Sequence, residues 1–294
     1  MALLLGCGRK EGGGGQTRTA PAPRLTVFVS ILPQDYFVRR IAGDSAMVHV
    51  MVGPGQSPAT YEPTPRQMTA LSKADLYFSI GVPFDSAWMP RIRKANPRMT
   101  IVDTTQGIDR RPMEAYSGHG HNHAHDGDHD SGTLDPHTWL DPDLVKVQAR
   151  AICSALQKAD WARAEYYEHN LATFLQDLDA LDRDIRDILS GLENRKIMVF
   201  HPAWGYFADA YDLVQMPVEV EGKTPNAKTL QHLVEVARRE GIRLVIVQKQ
   251  FSKRAATVLA QECKATVVHL DPLSRDYISN LRHIAKTIAS RGQG

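Results

Sequence analysis

A chain of 294 residues, 43% hydrophobic and 23% charged, has the composition of a globular protein and room for two ordinary domains. Its 35 Lys and Arg against 33 Asp and Glu leave a net charge of +2, with no basic stretch dense enough to read as a nucleic-acid surface. No apolar run reaches the roughly 18–20 residues that span a bilayer, which disfavours an integral membrane protein.

The first residues read as an address. Met1 to Cys7 is a short apolar run ending in a small residue and a cysteine. It resembles the end of a bacterial lipoprotein signal, with Leu4-Leu5-Gly6-Cys7 as the lipobox and Cys7 as the lipidated residue. The basic flank of a full signal is absent. Gly, Thr, Ala and Pro dominate the residues up to Pro23, so 1–24 is expected to be a signal remnant and flexible tether. Gly12 to Gly15 belongs to that tether and is not a phosphate-cradling loop, since no strand precedes it.

After the tether, β-branched and apolar runs at 25–29, 48–52, 76–80 and 100–102 read as buried strands. Helical stretches near 36–42, 65–73 and 84–94 alternate with them. A second series has strands at 197–200, 217–220, 243–247 and 266–270, with helices near 227–240, 254–261 and 277–290. Such alternation predicts an α/β fold with two parallel sheets, each covered on both faces. Between the two series, Leu171, Phe174, Leu175, Leu178, Leu181, Ile185, Ile188, Leu189 and Leu192 recur at three- and four-residue steps. One long helix over 161–192 would then bridge an N-terminal lobe (25–160) and a C-terminal lobe (193–294). Cys153 and Cys263 each fall in a predicted helix and are read as two buried thiols.

Histidine usage carries the chemical signal. Five of the 12 histidines, His119, His121, His123, His125 and His129, fall within 118–130 together with three aspartates. Clustered imidazoles and carboxylates suit borderline divalent metals, zinc above all, and such a segment cannot form a packed core. It is expected to hold several ions weakly. An ordered site needs ligands at fixed places. His201 directly follows a predicted strand, Asp271 directly follows another, and His137 lies in the long connection after the strand ending near Val102. All three lie beyond carboxyl ends of strands, where open α/β sheets place their ligands. Asp135 and Asp141 bracket His137, and either carboxylate could orient the imidazole; Trp139 and Trp204 would keep water away.

At these residues the chain resembles the ZnuA/TroA-like solute-binding proteins of bacterial ABC importers for zinc and manganese. The resemblance runs from Leu25 to Ser290 and rests on the order and spacing of five motifs. They are Ser30-Ile-Leu-Pro33, Tyr61-Glu-Pro-Thr-Pro65, Asp135-Pro-His-Thr-Trp-Leu-Asp141, His201-Pro-Ala-Trp-Gly-Tyr-Phe207 and Leu270-Asp-Pro-Leu273. It implies two α/β lobes bridged by a long helix, with a metal ligated between them by His137, His201 and Asp271. The His-rich segment favours Zn²⁺ over Mn²⁺. One position departs from the family: where a further histidine ligand is usual, this chain has Ala59, leaving the fourth place to water, Glu62 or a loop histidine. The implied function is a monomeric carrier in the periplasm or cell envelope that delivers a divalent ion to an inner-membrane ABC permease. A surface adhesin is an alternative reading. A zinc hydrolase is disfavoured, because no H-E-x-x-H occurs and Glu62 is the only base near the ligands.

Overall fold

The computed structural model describes residues 24–114, 133–219, 225–248 and 253–292. Cys7, the tether and all five clustered histidines lie outside these residues.

Two four-stranded parallel sheets organise the chain. The first has the order β2-β1-β3-β4, from β1 (Leu25–Ile31), β2 (Ala46–Val52), β3 (Leu76–Ser79) and β4 (Thr100–Asp103). The second has the same pattern, β6-β5-β7-β8, from β5 (Lys196–Val199), β6 (Val214–Pro217), β7 (Leu244–Val247) and β8 (Thr266–His269). All ladders are parallel, so each strand must return through a crossover. The helices α1 (Leu32–Ala42), α2 (Pro65–Leu71), α3 (Pro83–Ala95), α4 (Pro142–Ala159), α5 (Ala164–Leu189), α6 (Gly205–Ala210), α7 (Ala227–Arg239), α8 (Lys253–Cys263) and α9 (Tyr277–Gly292) make these returns and flank the sheets. Strand β6 spans Val214–Pro217, three residues before the strand expected at 217–220. Beyond it, the Val218 and Glu219 N–H groups still donate to the Val199 and Phe200 carbonyls, so the chain follows β5 to its carboxyl end.

Local sequence explains the main helix starts. Pro65 and Pro142 occupy first-turn positions, where a missing N–H costs nothing. Thr64 and Gln67 form a reciprocal cap on α2, and Asp141 accepts the Asp143 N–H to cap α4. Helix α5 carries the expected apolar stripe: Tyr167, Leu171, Phe174, Leu178, Leu181, Ile185 and Leu189 are all buried. Its 26 residues are shorter than the stretch expected at 161–192, because a separate 3₁₀ turn at Trp161–Arg163 precedes it. This helix packs on α1, α4 and α9.

One hydrophobic core runs without interruption from the first sheet through α5 to one face of the second sheet, which contributes Ile197, Val199, Leu244 and Ile246. Alternate residues of the same strands, Met198, Val245 and Val247, enter a second core under α7 and α8. This is the period of two that a sheet buried on both faces requires. Polar contacts also join the lobes. Arg275 pairs with the fully buried Asp35 at 2.9 Å, the Trp139 indole N–H donates to the Pro272 carbonyl at 2.8 Å, and Arg282 pairs with Asp184 of α5. Cys153 is buried, with burial pushing its thiol up to about 11, and Cys263 is partly buried; both are free thiols.

Leu178 is fully buried at the centre of α5. Leu178→Ala is expected to destabilise the protein by about 2–5 kcal/mol. Urea unfolding should show a lower midpoint, and a change below about 1 kcal/mol would mean that the α5 seam is not the core of the molecule.

Candidate metal centre

A cavity of about 620 Å³ lies between the sheets. Its walls come from the segments that follow carboxyl ends of strands: Ser57 to Ala59 after β2, Gly81 to Pro83 after β3, His201 and Ala203 after β5, Gln248 after β7, and Pro272 and Leu273 after β8. His137 and Trp139 complete the floor. Open parallel sheets place ligands at this edge because side chains and backbone N–H groups converge where the strands stop.

The structure brings His137 and His201 together. Their ring centroids are 5.3 Å apart with the planes at 72°. Two imidazoles sharing one tetrahedral zinc at Zn–N distances of about 2.0–2.1 Å have centroids about 5 Å apart. Each ring is backed by a carboxylate. Asp135 Oδ1 lies 2.7 Å from His137 Nδ1 and also accepts the His137 backbone N–H at 2.9 Å. Glu219 Oε1 lies 2.6 Å from His201 Nδ1. A carboxylate at Nδ1 holds the proton there and makes Nε2 the lone-pair atom, the arrangement that orients a metal-binding histidine. Burial holds His137 below the usual imidazole range, while Asp135 opposes that shift, so the ring is neutral at pH 7.

Further contacts fix the segments around the site. The Asp135 carbonyl accepts from the Tyr206 hydroxyl at 3.0 Å, tying the His137 loop to α6 of the other lobe. At Gly205, a Cβ would run into Arg111 Nη1 and lie 2.8 Å from Asp135 Oδ2, so a side chain there would push on both. In the first lobe, the buried Asp85 accepts from Ser30 Oγ at 2.5 Å, from the Ile80 and Gly81 N–H groups and from the Tyr77 hydroxyl. That network holds the Gly81–Pro83 wall in place.

Asp271 follows β8 and is not among the residues that wall the cavity. Its Oδ1 caps the turn by accepting the Leu273 N–H at 2.9 Å, and only its neighbours Pro272 and Leu273 line the cavity. Among the described residues, no group of three or more His, Cys, Asp or Glu side chains is arranged to hold a metal. Ala59 does line the cavity, whereas Glu62 is exposed and absent from its walls. Asp141 serves as the α4 cap, and the carboxylate hydrogen-bonded to His137 is that of Asp135. Trp139 and Trp204 are both buried, as expected of residues that exclude water.

Sequence reading missed Glu219, only 5% exposed. The sequence put Glu219 inside a strand at 217–220, whereas β6 ends at Pro217, so Glu219 lies beyond a carboxyl end where the rule that picked out His201 applies.

A two-lobed α/β protein with a cleft lined by paired imidazoles is a solute-binding protein in form. Residues 27–291 match the family described as zinc-uptake complex component A, periplasmic, and the chain belongs to that family. It is 27% identical over 275 residues to the high-affinity zinc uptake system protein ZnuA of Bacillus subtilis, covering 92% of this chain and 85% of that protein. A crystal structure of ZnuA superposes with a TM-score of 0.84 at 40% identity, covering 92% of this chain and 99% of the other. A zinc-bound ZnuA lacking residues 138–173 of its own chain superposes at 0.83 with 39% identity, covering 92% and 98%. The family is one of solute-binding proteins that bind Zn²⁺, and not of enzymes.

Glu219→Gln should lower zinc affinity about 10–100-fold, the usual cost of losing a carboxylate behind a histidine ligand. Competition against a chromophoric chelator would measure it, and an unchanged affinity would remove His201 from the centre. Asp141 gives a separate, pH-dependent check. Burial pushes its carboxyl up to about 6. From the ordinary carboxylate value of about 3.9 up to 6, the folded state therefore holds the proton more tightly than the unfolded chain, and stability falls as pH rises. Asp141→Asn keeps a cap and removes the charge. Its melting temperature should exceed the parent's at pH 8, with the gap closing as pH drops through about 6; a gap independent of pH would contradict the assignment.

Proposed function

We propose that the protein captures Zn²⁺ in the interlobe cleft through His137 and His201 and hands it to an ABC permease of the inner membrane. The observation that carries this reading is the pair of carboxylate-backed imidazoles, one from each lobe, at a ring separation that suits a shared zinc ion. Zinc is the cargo. Asp271 is the third proposed ligand; its Oδ1 accepts the Leu273 N–H, which leaves Oδ2 as the donor for the ion. Manganese is the alternative cargo, although two nitrogen donors favour zinc, since manganese prefers oxygen.

Residues 25–160 and 193–294 act in this reading as two lobes joined by 161–192. A helix buried against both lobes permits only small lobe movements, so release would be driven by the permease. Residues 1–24 would be the remnant of an export signal and a tether, with Cys7 as the lipid-bearing residue, placing a monomeric protein in the periplasm or on the cell envelope. The clustered His119, His121, His123, His125 and His129 would gather ions near the cleft mouth and hold them more weakly. Deleting 118–130 is expected to reduce total bound zinc and spare the cleft ion; losing both would contradict that role.

Calorimetry on four proteins tests the central claim. His137→Ala and His201→Ala are each expected to abolish the tightest zinc-binding event. Ala59→His places a third imidazole donor on the cavity wall and should tighten binding by more than about tenfold. Full retention of the tight event in both alanine variants would overturn the function; equal affinity for Ala59→His and the parent would remove position 59 from the site.

A further inference from the structure

Behind the imidazoles and their carboxylates, a polar relay crosses from one lobe to the other. It starts at Arg111, in the connection between β4 and α4. The Asp135 N–H donates to the Arg111 carbonyl at 2.9 Å, Pro112 and Leu134 form an antiparallel bridge, and the Met113 N–H donates to the Thr133 carbonyl at 2.9 Å. Arg111 and Asp135 are thus neighbours on a short antiparallel ribbon. Their side chains also approach each other, since both crowd the position a Cβ would take at Gly205. Asp135 Oδ1 is occupied by His137, whereas Oδ2 is buried with no hydrogen-bond partner among the described residues. Such an oxygen is costly unless a cation stands near, and the Arg111 guanidinium is the cation that faces it.

From Arg111 the contacts run into the second lobe. Arg111 Nη2 pairs with Glu114 Oε1, Glu114 Oε2 accepts from Gln215 Nε2 at 2.9 Å, and Gln215 Oε1 accepts the Trp204 N–H at 2.8 Å. Gln215 is buried on β6, the strand that leads to Glu219, and Trp204 ends the turn that begins at His201. Alongside, the Arg111 N–H donates to the Tyr206 hydroxyl at 3.1 Å, and Nη1 lies 3.2 Å from Asp209 Oδ2 on α6. One guanidinium therefore stands among the carboxylates of Asp135, Glu114 and Asp209. Burial raises the Asp209 carboxyl above its usual range, Arg111 opposes the rise, and Glu114 and Asp135 add to it. Without the cation, these groups would repel one another where the lobes meet.

Resting on the zinc-carrier reading above, we propose that Arg111, Glu114 and Gln215 are positioning residues for zinc. They hold the Asp135–His137 loop of one lobe in register with the His201–Trp204 turn of the other, and so set the spacing of the two imidazoles. Arg111 acts on the ion through Asp135, and Gln215 acts through the turn that carries His201. Glu114 joins the two. Because the three form one chain of contacts, a fault at either end loosens the same spacing, and two faults cost little more than one.

The test uses the full chain, with zinc chloride and, as a spectroscopic probe, cobalt chloride. A His137→Ala/His201→Ala double variant run in parallel subtracts ions held elsewhere on the chain. Arg111→Met and Gln215→Met, at opposite ends of the relay, are each expected to weaken the tight zinc event about tenfold or more, the usual range when partners behind metal ligands are lost. Both should also shift or weaken the visible bands of cobalt bound in the cleft, which report ligand geometry and which a merely structural role would leave unchanged. The combined variant should bind zinc about as well as the weaker single. Should Arg111→Met fail to fold, Arg111→Lys takes its place, since a point charge cannot make the forked contacts of the guanidinium. If either end can be changed with the parent's affinity and cobalt bands retained, or if the two losses add in the combined variant, the proposal is overturned and the zinc-carrier reading survives. If the His137→Ala/His201→Ala variant keeps the tight event, both are overturned.

Discussion

A buried helix cannot be shortened or bent cheaply, and the geometry of this molecule depends on that constraint. Helix α5 buries seven large side chains along one face, in a core that continues into both sheets. Opening a gap along this seam would return several of these groups to water, at about 1.5–3 kcal/mol for each side chain fully exposed. The two sheets are therefore held at one separation, and residues at their carboxyl ends face each other across a cavity of fixed width. The paired imidazoles at its floor are a consequence. Among the described residues, the two nitrogen donors that meet come one from each lobe.

The polar contacts across the cleft refine what the core imposes. Asp35 with Arg275, Trp139 with the Pro272 carbonyl, and Tyr206 with the Asp135 carbonyl each join an element of one lobe to a loop of the other. Two of the three end at the segment 272–275 that walls the cavity. The third ends at the residue that orients His137. The bonds that dock the lobes thus also position the site, so weakening the interface would blur the geometry of metal binding. A fully buried carboxylate such as Asp35 is costly without its cations, which makes the Arg275 contact hard to give up.

The electrostatics of the centre follow the same economy. Two neutral imidazoles would attract a dication weakly by themselves. Buried carboxylates directly behind them, Asp135 at 1% and Glu219 at 5% exposure, supply the negative charge without occupying coordination positions. The ion would then be held by nitrogen and compensated by oxygen one shell away. This division suits a carrier, which must bind firmly and still let go when a partner disturbs either lobe.

Much of this was legible in the chain itself. The alternation of β-branched and helical runs determined two parallel sheets, and the three- and four-residue steps from Leu171 to Leu192 determined the helix between them, because periodicity is a local property of the sequence. The rule that ligands follow carboxyl ends of strands reached His201, and the motif from Asp135 to Asp141 reached His137. Tertiary structure decided which candidates meet. Asp271 satisfies the same strand-end rule as His201, and one of its carboxylate oxygens accepts the Leu273 N–H. Glu219, passed over in the sequence, became the partner of His201, because β6 ends early and its chain follows β5 to the cleft. Asp141 flanks His137 in sequence and caps a helix in space. Sequence records which donors exist and roughly where strands stop; only the packing of one lobe on the other fixes the direction and distance on which coordination depends.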